Sequence, residues 1–509
     1  MLLRSGIIIA LFTLLSRIFG LFRELFIAVT FGTSASADAV NVAFKLPNLF
    51  RRIFGEGALA SIFVPMFSEK LTHSELVAEK FASKVFFLLM VILFVFTAIF
   101  QYFMPELMFL IAPGFHNNPE KFELTVLLCR ITMPYLLFIS LVALVGGMLN
   151  SIGRFAAFAA VPVVMNIVII SGTILIQNYI ISSHAIAWSV FLAGILQLAF
   201  MFICLYRTHL RIKKPHLVHD DPDIKKLLKL MLPATISSGV TQVNLFISQS
   251  IASFIPGAVS ILSYADRVYQ VPMSIIGVTF GTVLLPTLSK LYKSGDIEKA
   301  TETQNNAIKL GIALSIPFSV AMVVLAVPII RVIYEHGAFN SSDTINTAYT
   351  IAAFGFGVPA FILGKILMPI FYANQNPQIV MRITIYTIVT NIVLNVILMY
   401  PFKYVGIALG SSIAAWYNVY LFLKYAKKNQ YFTMDSYLTS VIRKISIGGA
   451  IAALLMIGSY QIFSFLHEGV LLQIIQLFLA LICGFGAYLW LMMHYKILDL
   501  TVLKGLMKK

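Results

Sequence analysis

The chain has 509 residues, 59% of them hydrophobic and 11% charged, with a mean hydropathy of +0.91. A soluble domain of this size could not hide so much apolar surface, so the composition excludes a soluble enzyme or binding module and indicates an all-α polytopic membrane protein. The formal charge of +16 would suggest nucleic acid in a soluble chain, but uneven loop charge across a bilayer accounts for it, and no nucleic-acid partner is expected.

Windows of about 20 apolar residues predict fourteen transmembrane helices. The first, 6–31, opens on MLLRSGIIIALFTLLSR; it lacks a small-x-small cleavage site and reads as a retained span, not a leader. Segments 37–66, 81–104, 123–149, 155–178 and 185–206 follow. Thr208–Lys229 is then a polar stretch containing Pro215, Pro222, His216, His219, Asp220, Asp221 and Asp223. Its acids and histidines show no paired metal-ligand spacing on a helix, so it reads as a solvated hinge. Six more segments cover 228–254, 258–289, 307–334, 345–372, 379–400 and 404–424. A last pair lies at 438–463 and 470–494.

Loop charge sets the orientation. With the N-terminus inside, the inner segments collect Lys70, Lys80, Lys84, Arg154, Arg207, Lys290, Lys293, Lys427 and Lys428, while the outer loops hold little beyond Lys121 and Lys403. Both termini are therefore expected in the cytoplasm of a multi-pass protein.

The two halves also resemble each other. VPMFSEKL (64–71) recurs as LPTLSKL (285–291), PELMFLIAPG from Pro105 matches PIIRVIYEHG from Pro328, and Pro134 and Asn166 map onto Pro359 and Asn391 at one common offset. This predicts two six-helix lobes related by a pseudo-twofold axis along the membrane normal, with the last two helices outside the repeat. The expected organisation is an N-terminal lobe at 1–207, a cytoplasmic linker at 208–227, a C-terminal lobe at 228–428, and a C-terminal helix pair with its cytoplasmic tail at 429–509.

No catalytic motif, nucleotide loop or cofactor fingerprint is present, so no enzyme activity, cofactor or metal is expected. Cys129, Cys204 and Cys483 are far apart in apolar segments and read as packing residues. The informative groups are charges at bilayer depth, which are costly and usually functional. Asp38, Lys45 and Arg52 are seven apart, so an unbroken helix would align them, with Glu56 one turn beyond; Pro47 interrupts that helix. Arg17 and Glu24 share a face by the same spacing, with Arg23 pointing elsewhere. The second half adds Asp266, Arg267 and Lys365.

Glu24, Asp38, Glu56 and Asp266 serve equally as charge partners that hold helices together. The cations Arg17, Arg23, Lys45, Arg51, Arg52, Arg267 and Lys365 outnumber these acids, which favours an anionic ligand, and the planar arginine fork suits phosphate oxygens. Arg51 and Arg52 point about 100° apart, so one of them is a candidate to snorkel to the interface. Arg130 and Arg331 lie near span ends and read as anchors.

Four stretches, SRIFGLFRE, ADAVNVAFKLPNLFRRIFGEGALASIFVP, YADRVYQVP with GTVLLPTLSK, and GKILMPIFYANQNP, resemble the MurJ (MviN) family of bacterial lipid II flippases in the MOP exporter superfamily. The resemblance covers nearly the whole chain. It implies alternating access in the bacterial cytoplasmic membrane, with the diphosphate of undecaprenyl-linked lipid II in a central cationic cavity and the lipid tail in a groove of the last two helices. It also implies contact with membrane lipids and with cell-wall synthesis proteins.

By resemblance the cavity arginines fall on Arg17, Arg23, Arg51 and Arg267, and the acidic position on Asp38. Lys45, Arg52, Glu56, Ser260 and Lys365 stand in matching contexts. Gln270 occupies a position where some relatives carry glutamate. A family-type sodium site would use aspartates in the seventh or eleventh span, where this chain offers Asn244, Asn391 and Asn395. Two alternatives remain open: an exporter of another polyprenyl-diphosphate-linked saccharide, and a non-transporting membrane scaffold of cell-wall synthesis.

Overall fold

The computed structural model describes residues 2–53, 59–176, 178–213, 221–432, 436–463 and 469–498. Glu56, His216, His219 and Asp220 lie outside the described residues. Those described form helices and connecting turns with no strand, and the chain divides into two compact units, Met1–Ser260 and Ile261–Lys509.

The first unit contains α1 (Leu2–Phe31), α2 (Ala35–Arg51), α3 (Ala60–His73), α4 (Glu75–Tyr102), α5 (Met104–Ile111), a 3-10 turn (Pro113–Asn117), α6 (Pro119–Thr132), α7 (Tyr135–Ser151), α8 (Phe155–Ile176), α9 (Ser182–Tyr206) and α10 (Pro222–Ser253). It ends three residues into α11 (Ala258–Pro272). The second unit continues through a π-helical turn (Met273–Gly277) into α12 (Val278–Lys293), α13 (Ile297–Val324), α14 (Ala326–Tyr334), α15 (Ser341–Ala373), α16 (Pro377–Lys428), α17 (Ser436–Ile462) and α18 (Val470–His494). Among the described residues, the predicted apolar segments are mainly helical. Nine helices among the described residues are long and apolar enough to cross a membrane, and α16 is two helices fused across Lys403, whose φ is 50°.

Local sequence explains where helices begin. Asn118 accepts a hydrogen bond from the Lys121 amide just before Pro119 opens α6, and Asn340 and Asp343 form a reciprocal capping box at the start of α15. Asp221 caps α10 by accepting from the Asp223 amide at 2.8 Å, ahead of Pro222 at the first turn.

Prolines inside bilayer-spanning helices pose the opposite problem. Each removes the N–H that would bond the carbonyl four residues earlier, and hydrocarbon offers no substitute. Four such carbonyls are rescued by a side chain from another helix. Pro47 frees Ala43, which accepts from Thr132 Oγ1 at 2.8 Å. Pro134, at the break between α6 and α7, frees Arg130, which accepts from Gln101 Nε2 at 2.7 Å. Pro317 frees Ala313, which accepts from the Tyr488 hydroxyl at 2.8 Å, tying α18 to α13. Pro359 frees Gly355, which accepts from Ser319 Oγ at 2.7 Å. Pro134 and Pro359 are repeat equivalents, and in each half the rescue comes from the preceding long helix. With Ala43 so bonded, α2 continues past Pro47 to Arg51.

The polar stretch after α9 departs from the expected solvated hinge. Its described flanks are held to α3 and α4: the Arg211 amide donates to Glu79 Oε1 at 2.7 Å, the Lys213 amide to Ser83 Oγ at 2.9 Å, and Lys213 Nζ lies 2.7 Å from Glu79 Oε2. Lys84 pairs with Asp221, and Lys70 with Asp223, each at 2.5 Å. The helix ends carry charges complementary to the linker, so this part of the linker is docked.

Candidate functional site

The first charged cluster is built on α1. Arg23 and Glu24 are 5% and 3% exposed. Adjacent residues on a helix point about 100° apart, yet the long guanidinium reaches back, and Arg23 NH2 lies 2.7 Å from Glu24 Oε1. This corrects the expectation that Arg23 points away from the Glu24 side of α1. Its NH1 donates to Asn166 Oδ1 of α8 at 3.0 Å, and the Phe44 ring of α2 lies 4.3 Å below its centre. Arg17, six residues before Arg23, is exposed.

The second cluster centres on Asp38, in the first turn of α2, with no solvent exposure. Lys121 Nζ of α6 is 2.6 Å from its Oδ2, and the amides of Gly257 and Ser260 donate to it at 3.0 and 2.9 Å. The Ser260 hydroxyl donates to the same carboxylate. Lys121 also sits 3.8 Å over the Phe115 ring. Gly257 has φ +74°, and a Cβ there would come 3.0 Å from the Thr33 carbonyl, so this approach requires glycine. Asp38 and Ser260, both expected among ligand-facing residues, are buried against each other and join α2 to the start of α11.

The remaining cations of the first unit are more open. Lys45 and Arg51 are half-buried and Arg52 is exposed; Arg51 Nε donates to Asn48 Oδ1 at 3.2 Å. The three positions expected on one face meet different surroundings: Asp38 is buried, Lys45 is half-buried, and Arg52, the cap of α2 with α-region backbone, is exposed.

In the second unit, Asp266 and Arg267 are half-buried on α11, and Gln270 donates its amide to Asp266 one turn away. A glutamate at 270 would set a second carboxylate against Asp266; glutamine instead stabilises the aspartate. Tyr269 packs between Phe354 and Phe361 of α15, with ring centroids at 4.6 and 5.4 Å. Lys365 is half-buried on α15 and has no hydrogen-bond or ion-pair partner among the described residues. Its stem lies against Gly277, where a Cβ would come 2.9 Å from Lys365 Cδ, beside the π-helical turn. Such turns widen a helix locally and are frequent at functional positions.

The sequence profile described as "Lipid II flippase MurJ" matches residues 27–478. The chain belongs to the MurJ family. It is 50% identical over 502 residues to a protein of Rickettsia prowazekii (strain Madrid E) named probable lipid II flippase MurJ, covering 97% of this chain and 99% of that one. A Rhizobium tropici protein of the same name is 41% identical over 414 residues, covering 80% and 77%. Among solved structures, lipid II flippase MurJ in an inward closed conformation aligns with a TM-score of 0.78 at 29% identity, covering 96% of this chain and 99% of that one. An inward-facing MATE transporter of the MOP superfamily aligns at 0.66 and 15% identity, covering 83% and 98%, which shows a shared fold. As a member of the MurJ family, the protein is a multi-pass membrane protein.

Sequence reasoning placed the charged positions of this MurJ-family chain but missed their neutral and distant partners. Lys121 had a signal: it is one of the few cations in a predicted outer loop, opposite an acid at the outer start of a span. Asn166 was visible only as a repeat marker, and Phe44 had no signal.

At the positions where resemblance to MurJ raises a sodium site, this chain carries neutral amides in place of aspartates. Asn391 donates to Ser411 Oγ at 3.1 Å, and Asn395 donates to Asn391 Oδ1 at 3.3 Å. This cluster is neutral and bonded to itself. Among the described residues no group of His, Cys, Asp and Glu could hold a metal ion.

Proposed function

We propose that this protein flips lipid II from the inner to the outer leaflet of the bacterial cytoplasmic membrane by alternating access, with both termini cytoplasmic. The observation that carries the reading is the end-to-end match to proteins named lipid II flippases, at 50% identity for the Rickettsia relative. Bilayer-depth arginines and lysines in excess of their acids supply the matching chemistry.

In this mechanism Arg17, Arg51, Arg267 and Lys365 engage the diphosphate, since these cations are exposed or half-buried. Lys45 and Arg52 add positive potential along the path. Arg23 contributes as a clamped, oriented cation, and Asp38 and Ser260 act as a structural tie. With the cell interior negative, outward movement of a diphosphate of about two charges is favoured by roughly 4–5 kcal/mol per 100 mV if the whole field is crossed. The membrane potential can therefore drive export without a coupled ion.

The test is transfer of labelled lipid II across the bilayer of proteoliposomes holding the purified protein. Lipid II that stays on its starting leaflet while folded protein is present would overturn the reading. Faster movement of a different polyprenyl-diphosphate saccharide would favour the other exporter. A membrane scaffold would survive Arg17→Ala and Arg267→Ala in a depletion–complementation assay, whereas a flippase would not.

A further inference from the structure

Asn166 lies within α8 and is 5% exposed. A buried amide in a bilayer-spanning helix is costly unless both ends are hydrogen-bonded. Both ends of Asn166 are used by α1: Oδ1 accepts from Arg23 NH1 at 3.0 Å, and Nδ2 donates to the Ser16 carbonyl at 3.2 Å. Ser16 and Arg23 are seven residues apart, two helical turns on one face, with Gly20 between them. A Cβ at Gly20 would sit 3.7 Å from Asn166 Nδ2, in ordinary contact, so α1 approaches the amide closely along this face.

One side chain therefore fixes two features of α1. It grips the backbone at the residue just before Arg17, and it orients the Arg23 guanidinium, whose other nitrogen is on Glu24 and whose face is on Phe44. The repeat equivalent in the second unit, Asn391, is again an asparagine, but its Nδ2 donates to Ser411. The grip on an arginine-bearing helix is thus a use of this position that the repeat alone does not dictate.

We propose that Asn166 is a positioning residue for head-group binding: it sets the rotation and height of α1 so that Arg17 meets the diphosphate while Arg23 is held in the wall behind it. This rests on the lipid II reading above. Asn166 does not touch the ligand itself. Its effect reaches the site through α1.

Two readouts on the full-length protein test this. In proteoliposomes, the initial rate of lipid II transfer is measured against lipid II content for the parent, Asn166→Leu and Asn166→Gln, with melting temperatures alongside. Leucine keeps the volume and removes both hydrogen bonds; it is expected to raise the half-saturating lipid II content about fivefold or more, with the maximal rate within about twofold. Glutamine, which retains donor and acceptor, is expected to recover at least about half of that loss.

An unchanged half-saturation in Asn166→Leu overturns the proposal, whether or not the melting temperature and maximal rate fall, because a purely structural amide would act only on those. Ligand-free hydrogen exchange provides the second readout. Asn166→Leu is expected to speed exchange in the α1 segment 13–24, with Asn166→Gln close to the parent, and no change in α1 also overturns the proposal. A parent that transfers no lipid II sinks the lipid II reading, and exchange in α1 then decides the positioning role alone.

Discussion

Lys121 Nζ lies 2.6 Å from Asp38 Oδ2, 83 residues away in the chain, and the aspartate has no solvent exposure. Removing one partner of a buried pair typically costs about 3–5 kcal/mol, because the other charge is left uncompensated. Asp38→Asn and Lys121→Met should each lower stability, with Lys121→Met the milder, since Gly257 and Ser260 still donate to the carboxylate. The double variant should lose clearly less than the sum. Thermal unfolding in detergent across this double-mutant cycle measures the coupling, and strictly additive losses would contradict the pairing.

Thr132 and Pro47 make a more selective test. Thr132→Val removes the donor that satisfies the Ala43 carbonyl and should cost about 1–3 kcal/mol. In a Pro47→Ala background the helix regains its own N–H for that carbonyl, so the same Thr132→Val change should become nearly neutral. Equal losses in both backgrounds would show that the proline-freed carbonyl is not what Thr132 serves.

Arg17 and Lys365 should separate activity from stability. Arg17 is exposed, so Arg17→Ala is expected to change the melting temperature little while reducing lipid II transfer by about tenfold or more, the scale of a charge-assisted phosphate contact. Lys365→Met removes a half-buried cation that has no partner among the described residues, so stability should hold or rise while transfer falls. A Lys365→Met protein with full transfer would remove Lys365 from the pathway.

The docked linker should carry an acid-sensitive contribution to stability. Burial tends to raise the Asp221 carboxyl pKa, but the hydrogen bond from Lys84, those from the Asp223 and Ile224 amides, and the Lys84 charge outweigh it and hold the group below its ordinary value. A depressed carboxyl stabilises the fold above the unfolded pKa of about 3.9, and that contribution disappears as pH falls through the lower folded value. Asp221→Asn keeps a cap for α10 and loses the ion pair. It should cost no more than about 1 kcal/mol near neutral pH and flatten the pH dependence of unfolding below pH 4. An unchanged acid limb would remove Asp221 as its source.

The sequence alone determined the membrane class, the positions of the helical segments and the set of charges to be explained. Bilayer thickness and the rise of a helix impose a length and an apolar pattern that any local window shows. Family motifs added Arg17, Arg23, Arg51 and Arg267 as positions, because they are contiguous strings. What each charge does was decided by tertiary structure. Asp38 answers to residues 83, 219 and 222 positions away, and Arg23 to one 143 away. Such pairs arise only when helices pack, and no local period records them. Spacing aligned Asp38, Lys45 and Arg52 along one helix; packing gave them different surroundings, with Asp38 buried among Lys121, Gly257 and Ser260 and Arg52 exposed, because an acid is buried only where donors meet it.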